Sequence, residues 1–162
     1  METRLTKHLR LLIVAAVLLL TGACTAAPGR LRTQSRTIEL GGAESARVEL
    51  LMGAGVLTVG GGAIDLMEAD FTYNVARWEP EVSYEVNGSQ GELLVRQPEA
   101  REIGRLSGDY RYEWELSFRE DVPLDMRIAL GAGQSTLDLG ELTLTAFDLD
   151  AGVGDCTVDL TG

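Results

Sequence analysis

A glycine-punctuated phrase recurs three times in this chain, and its last two copies lie one 21-residue step apart. The first copy is Val48-Glu49-Leu50-Leu51-Met52-Gly53-Ala54-Gly55. The second runs from Ile128 through Gly131-Ala132-Gly133 to Leu137-Asp138-Leu139. The third runs from Leu149 through Gly152-Val153-Gly154 to Val158-Asp159-Leu160. Ile128 maps to Leu149, Gly131 to Gly152, Gly133 to Gly154 and Leu137 to Val158. Short alternating strands at a fixed step of about 20 residues are the mark of stacked coils. The sequence therefore predicts an all-β fold, a β-helix-like solenoid of short strands interrupted by a hairpin.

The alternation within each copy assigns the faces. Leu137, Leu139, Val158 and Leu160 are expected to point inward, and Asp138, Asp150 and Asp159 outward. The glycines are expected at corners, where they hold positive φ or let successive coils approach with no Cβ between them. Cys156 aligns with Ser135, which favours a small buried residue over a reactive thiol.

The middle of the chain breaks the repeat. Val82-Ser83-Tyr84-Glu85-Val86 and Leu93-Leu94-Val95-Arg96 flank Asn87-Gly88-Ser89-Gln90-Gly91, a hairpin with a five-residue loop. Pro98 to Asp109 is a polar connection. Tyr110, Tyr112, Trp114, Leu116 and Phe118 then alternate with Arg111, Glu113, Glu115, Ser117 and Arg119, which predicts an aromatic inner face and a charged outer one. No stretch carries a helical period.

The first residues read as an export leader. Arg4, Lys7 and Arg10 precede an apolar run from Leu11 to Leu20, and small residues lead to Cys24. Ten apolar residues are too few to span a bilayer, whereas extending the run to Ala27 gives 17, the lower limit, so an uncleaved anchor is the alternative to cleavage. Leu20-Thr21-Gly22-Ala23-Cys24 resembles a bacterial lipoprotein lipobox, with Thr21 where an aliphatic residue is usual. The resemblance implies a signal peptide over 1–23, a lipidated Cys24 as membrane anchor, a flexible tether over 24–35 and a β-domain over 36–162. It places the protein on the extracytoplasmic face of a bacterial envelope membrane.

Charge narrows the partners. The chain carries a formal −11, and loss of the leader would leave 11 arginines against 24 carboxylates, a formal −13. Nucleic acid is excluded as a partner, because phosphate binding needs clustered cations.

From Trp114-Glu115-Leu116-Ser117-Phe118 and Asp121-Val122-Pro123-Leu124 through the two glycine phrases, the chain resembles the toast-rack domain, a bacterial envelope family of unknown function. The resemblance spans about Glu39 to Gly162. It implies a β-helix-like stack, and relatives often carry a lipid or helix anchor. Some are fused to segments similar to cell-wall-antibiotic-response membrane proteins. It brings no catalytic residues. This chain stops at Thr161-Gly162, just after a strand, where relatives tend to continue with further coils, so the domain is expected to be incomplete at that end.

Few chemistries survive inspection. His8 and Lys7 are the only residues of their kinds and both lie in the leader. That removes imidazole-activated nucleophiles and histidine-bearing zinc sites from the domain. Gly53-Ala54-Gly55 and Gly60-Gly61-Gly62 lack the helix and Lys of a phosphate loop. Asp148, Asp150, Asp155 and Asp159 are dense enough for acid–base work or calcium. A solvated row of Asp on an outer strand face is the reading the long period favours. Tyr110, Tyr112 and Trp114 are expected in the core, which leaves Trp78 as the exposed aromatic. The sequence thus predicts a non-catalytic, lipid-anchored module acting through its surface on an envelope protein or wall polymer, without cofactor or metal. A carboxylate-dependent carbohydrate-active enzyme and an envelope-stress sensor component are the alternatives.

Overall fold

The computed structural model describes residues 29–98 and 109–162. The leader, Cys24, and most of the connection from Pro98 to Asp109 lie outside the described residues. Eight strands form one sheet: β1 (Arg32–Ile38), β2 (Ser45–Gly60), β3 (Met67–Tyr73), β4 (Glu81–Asn87), β5 (Gln90–Arg96), β6 (Tyr112–Phe118), β7 (Leu124–Asp138) and β8 (Leu144–Asp159). Among the described residues the one helical piece is a 3-10 turn, Ala76–Trp78. The sheet curls into a nearly closed, barrel-like wall.

The centre of the fold is a parallel ladder. β7 runs beside β2 from Ala46↔Leu124 to Val59↔Leu137, and β8 runs beside β7. Ile128 pairs with Leu149, Gly133 with Gly154 and Leu137 with Val158, the 21-residue step of the sequence. On its other edge, β2 pairs with β5 through its first half and with β6 through its second. The antiparallel pairs β1–β3, β3–β6 and β4–β5 complete the sheet.

The expected short strands are replaced by continuous ones. β2, β7 and β8 run 16, 15 and 16 residues straight through their glycine phrases. The bend is made inside the strand. Gly55, Gly133 and Gly154 have φ of 156°, 133° and 139°, which side chains rarely adopt. Gly131 and Gly152 do not share that conformation. They are glycine because the next strand is too close: a Cβ on Gly131 would sit 2.5 Å from the Gly53 carbonyl oxygen, and one on Gly152 would strike the Gly131 carbonyl. In the β7 and β8 phrases the first glycine clears space for the neighbouring backbone, and the second both turns the chain and clears it, since a Cβ on Gly133 or Gly154 would strike the carbonyl of Gly55 or Gly133.

The core lies between the two halves of the bent ladder and the antiparallel strands. Val48, Leu50, Leu57, Met126, Ile128 and Leu137 come from the ladder, and Phe71, Trp114 and Phe118 from β3 and β6. Each large apolar side chain so buried contributes roughly 1.5–3 kcal/mol. The alternation read along β6 holds, with Tyr112, Trp114, Leu116 and Phe118 buried and Tyr110 partly so.

Two boundaries differ from expectation. β1 begins at Arg32, inside the expected tether. Most of its residues are exposed, so it carries no hydrophobic period. It is held by backbone pairing to β3 and by side-chain hydrogen bonds from Ser35 to Asp70 and between Thr33 and Thr72. The hairpin turns on Gly88-Ser89 alone, because Asn87 pairs with Gln90 and Val86 with Gly91. Gly88 has φ 66°. Gly91 belongs to the strand, where the Tyr84 ring lies across it.

Candidate interaction surface

β8 pairs with β7 and, among the described residues, with no other strand. Its 16 residues leave one whole edge of backbone donors and acceptors unpaired. From Ala151 to Gly162 every residue is exposed. Leu137 and Leu139 are buried as expected, but their counterparts Val158 and Leu160 are 38% and 58% exposed. These two occupy the inward register positions, and none of the described residues is laid over them. Cys156 is likewise a free, exposed thiol rather than a buried one. Its partner Ser135 is buried because Leu57 of β2 flanks it on the far side, and among the described residues Cys156 has no such neighbour.

The four candidate carboxylates, Asp148, Asp150, Asp155 and Asp159, all lie on β8 and all are exposed. They form a row along one strand rather than a converging set. Among the described residues no group of three or more His, Cys, Asp or Glu is placed to hold a metal ion. Asp159 accepts hydrogen bonds from the Thr161 hydroxyl at 2.6 Å and the Thr161 backbone N–H at 2.9 Å, which hold its carboxyl below the usual range.

Charge alternates across the ladder. Glu49, Arg127 and Asp148 stand in register on β2, β7 and β8. Arg127 reaches both carboxylates at 3.6 Å. One level away, Arg47 of β2 bonds Asp125 of β7 at 3.0 Å. Such exposed pairs each contribute about 0.2–1 kcal/mol, so their chief effect is on register.

A second feature lies at the bend. A cleft of about 550 Å³ is lined by Met52, Gly53, Trp78, Gln97, Gly131 and Gly152 among others. Trp78, expected to be exposed, is 94% buried, since its exposure is 6%. It meets Tyr110 at a tilt and Tyr112 edge-on, at centroid distances of 5.4 and 5.8 Å, and among the described residues its Nε1 has no hydrogen-bond partner. The Gln97 Oε1 is committed to the backbone N–H groups of Gly53 and Ala54. The cleft is therefore an apolar fold of the bend with few free polar groups.

Cys24, the expected lipidation residue, lies outside the described residues. No helix among the described residues is long and apolar enough to cross a membrane.

The family model for the N-terminal domain of toast_rack, DUF2154, matches residues 27–162. No curated protein matches the chain. Among solved structures, a candidate cell adhesion protein from Clostridium sporogenes is 29% identical and superposes with a TM-score of 0.76, over 82% of this chain and 63% of that one. This chain thus spans less than two thirds of that relative's length. A candidate adhesin from Parabacteroides distasonis is 12% identical, with a TM-score of 0.38 over 78% of this chain and 55% of that one. The second likeness is too slight to argue from. The family match covers the whole described β-sheet, and on it the chain belongs to the toast-rack family, with residues 27–162 as the family's N-terminal domain.

Proposed function

We propose that this chain is a non-catalytic module of the bacterial cell envelope that acts by surface contact, anchored by lipid at Cys24 on the extracytoplasmic face. The observation that carries this reading is β8, whose edge is unpaired and whose aliphatic row is uncovered among the described residues, whereas its carboxylates are spread along one strand. The structural relative from Clostridium sporogenes, described as a candidate cell adhesion protein, supports contact as the mode of action. In this reading β2, β7 and β8 are successive coils of a solenoid, and the natural partner is an envelope protein or a wall polymer.

The test is turnover and retention measured together. Purified full-length protein is incubated with bacterial wall polymers, acidic polysaccharides and an ester panel. No released product is expected. Release that disappears in an Asp148→Asn, Asp150→Asn variant would establish the carboxylate-dependent enzyme instead.

A further inference from the structure

We propose that the end of the fold where the chain enters β1 lies against the anionic phospholipid surface that holds Cys24, with arginine side chains on the headgroup phosphates. The proposal rests on the lipid-anchored reading above and adds the direction in which the domain stands. Asn74 builds this end. Its carbonyl accepts from the Gly29 N–H at 2.6 Å, its Nδ2 donates to the Asp109 carbonyl at 2.7 Å, and its Oδ1 accepts from the Arg111 N–H at 3.0 Å. One asparagine thereby ties the entering chain to the end of β3 and the start of β6.

Exposed arginines gather round it. Arg30 follows Gly29, Arg32 pairs with Tyr73 in the β1–β3 register, Arg77 stands in the 3-10 turn after Asn74, and Arg111 leads into β6. Among the described residues, Arg30, Arg32 and Arg77 have no carboxylate within ion-pair distance, while Arg111 bonds Glu113 at 2.8 Å. Glu79 stands 4.0 Å from Arg36, which leaves Asp109 as the unmatched carboxylate at this end among the described residues. Leu31, between Arg30 and Arg32, is 54% exposed. Unmatched guanidiniums around an exposed aliphatic suit a phosphate-bearing surface with acyl chains beneath it.

The opposite end has the opposite sign. β3 begins there, β2, β6 and β7 end there, and the turn into β8 lies beside them. Glu39, Glu68, Glu120, Asp121, Asp138 and Glu141 are exposed at that end, and the nearby Arg119 is bonded to Asp121. A chain with a formal charge of −11 is repelled as a whole by an anionic surface, so this polarity decides which end can approach it. The tether favours the same end. Gly29 follows Cys24 by five residues, a reach of at most about 18 Å when fully extended. That is roughly two Debye lengths at physiological salt, so slight slack brings the arginines into the field of the headgroups.

The test places the full-length protein, acylated in cells, in lipid nanodiscs of phosphatidylcholine alone or of an equal mixture with phosphatidylglycerol. Each disc carries a lipid with a nitroxide on its headgroup, and broadening of backbone amide signals is measured. Leu31, Arg77 and Arg111 should broaden roughly threefold more in the mixed discs, and Glu120 and Glu141 in neither. Raised salt should remove the difference. Arg30→Gln with Arg77→Gln should abolish it at an unchanged melting temperature, and Arg30→Lys with Arg77→Lys should keep it. Equal broadening in the two discs, broadening at Glu120 and Glu141 instead, or a difference that survives the glutamine variant would overturn the proposal. So would an effect on these arginines from soluble anionic wall polymer with none from phosphatidylglycerol. A protein that carries no acyl chain and leaves the discs overturns the anchor and the orientation together. An acylated protein that shows no dependence on phosphatidylglycerol overturns the orientation alone, and the surface-contact reading stands.

Discussion

Leu137 and Val158 are register partners on adjacent parallel strands, yet the first is 1% exposed and the second 38%. They differ in neighbours, not in orientation. Leu137 has β2 on one side and β8 on the other, whereas among the described residues Val158 has only β7. An aliphatic residue so exposed on a long strand edge is apolar surface that a further strand laid on β8 would cover.

The bend supplies the most sensitive test of the ladder. Gly133 combines positive φ with contact against the Gly55 carbonyl, whereas Gly62 has positive φ and open space around it. Gly62→Ala is expected to cost about 1 kcal/mol and Gly133→Ala about 3 kcal/mol or more. Thermal melts compare them directly. Equal costs would mean that close approach of the strands contributes nothing.

Ser135 is buried, and among the described residues its hydroxyl has no hydrogen-bond partner. An unpaired buried polar group is costly, and alanine fits the same space. Ser135→Ala should raise stability by about 1 kcal/mol in urea or thermal unfolding. A loss of similar size would show that the hydroxyl has an internal partner such as water.

Stability should fall at both pH extremes. Hydrogen bonds from Arg119 hold the Asp121 carboxyl below its usual range, and Thr161 does the same for Asp159. A depressed folded-state value adds stability that is present above about pH 4 and lost as pH falls through that value. In the alkaline range burial pushes the Tyr112 phenol up. That contribution is whole below about pH 10 and lost as pH rises further. Melting temperature measured against pH should therefore drop at both ends. Asp121→Asn with Asp159→Asn should flatten the acid limb, and Tyr112→Phe the alkaline one.

Anchoring is tested by Cys24→Ala. The wild-type protein should take up labelled fatty acid and sediment with membranes. The variant should take up none and either become soluble or keep its leader. A lipidated variant would contradict the anchor at Cys24.

The parallel register was legible because close stacking forces glycine to recur, and a recurring glycine is visible in one sequence. The core face of β6 was legible because its alternation runs over a whole strand. Other features depend on neighbours that are remote in sequence. Trp78 sits in a 3-10 turn with no period of its own, and its burial comes from Tyr110 and Tyr112. Cys156 shares a small-residue position with Ser135, but alignment cannot show that only one of them is covered on both sides. β1 escaped notice because polar residues fill a strand held by its backbone. Of the surface, the Asp row was visible in the sequence. Its alternation in sign with Arg127 and Glu49 needed the register of three strands.

Amide exchange along β7 and β8 of the full-length protein tests the central claim most directly. β7 is paired on both edges and should exchange slowly throughout. Amides of β8 from Val153 to Asp159 that point away from β7 should exchange faster by orders of magnitude, because among the described residues no strand accepts from them. Exchange in β8 as slow as in β7 would show that the edge is already covered, and would contradict an open contact surface there.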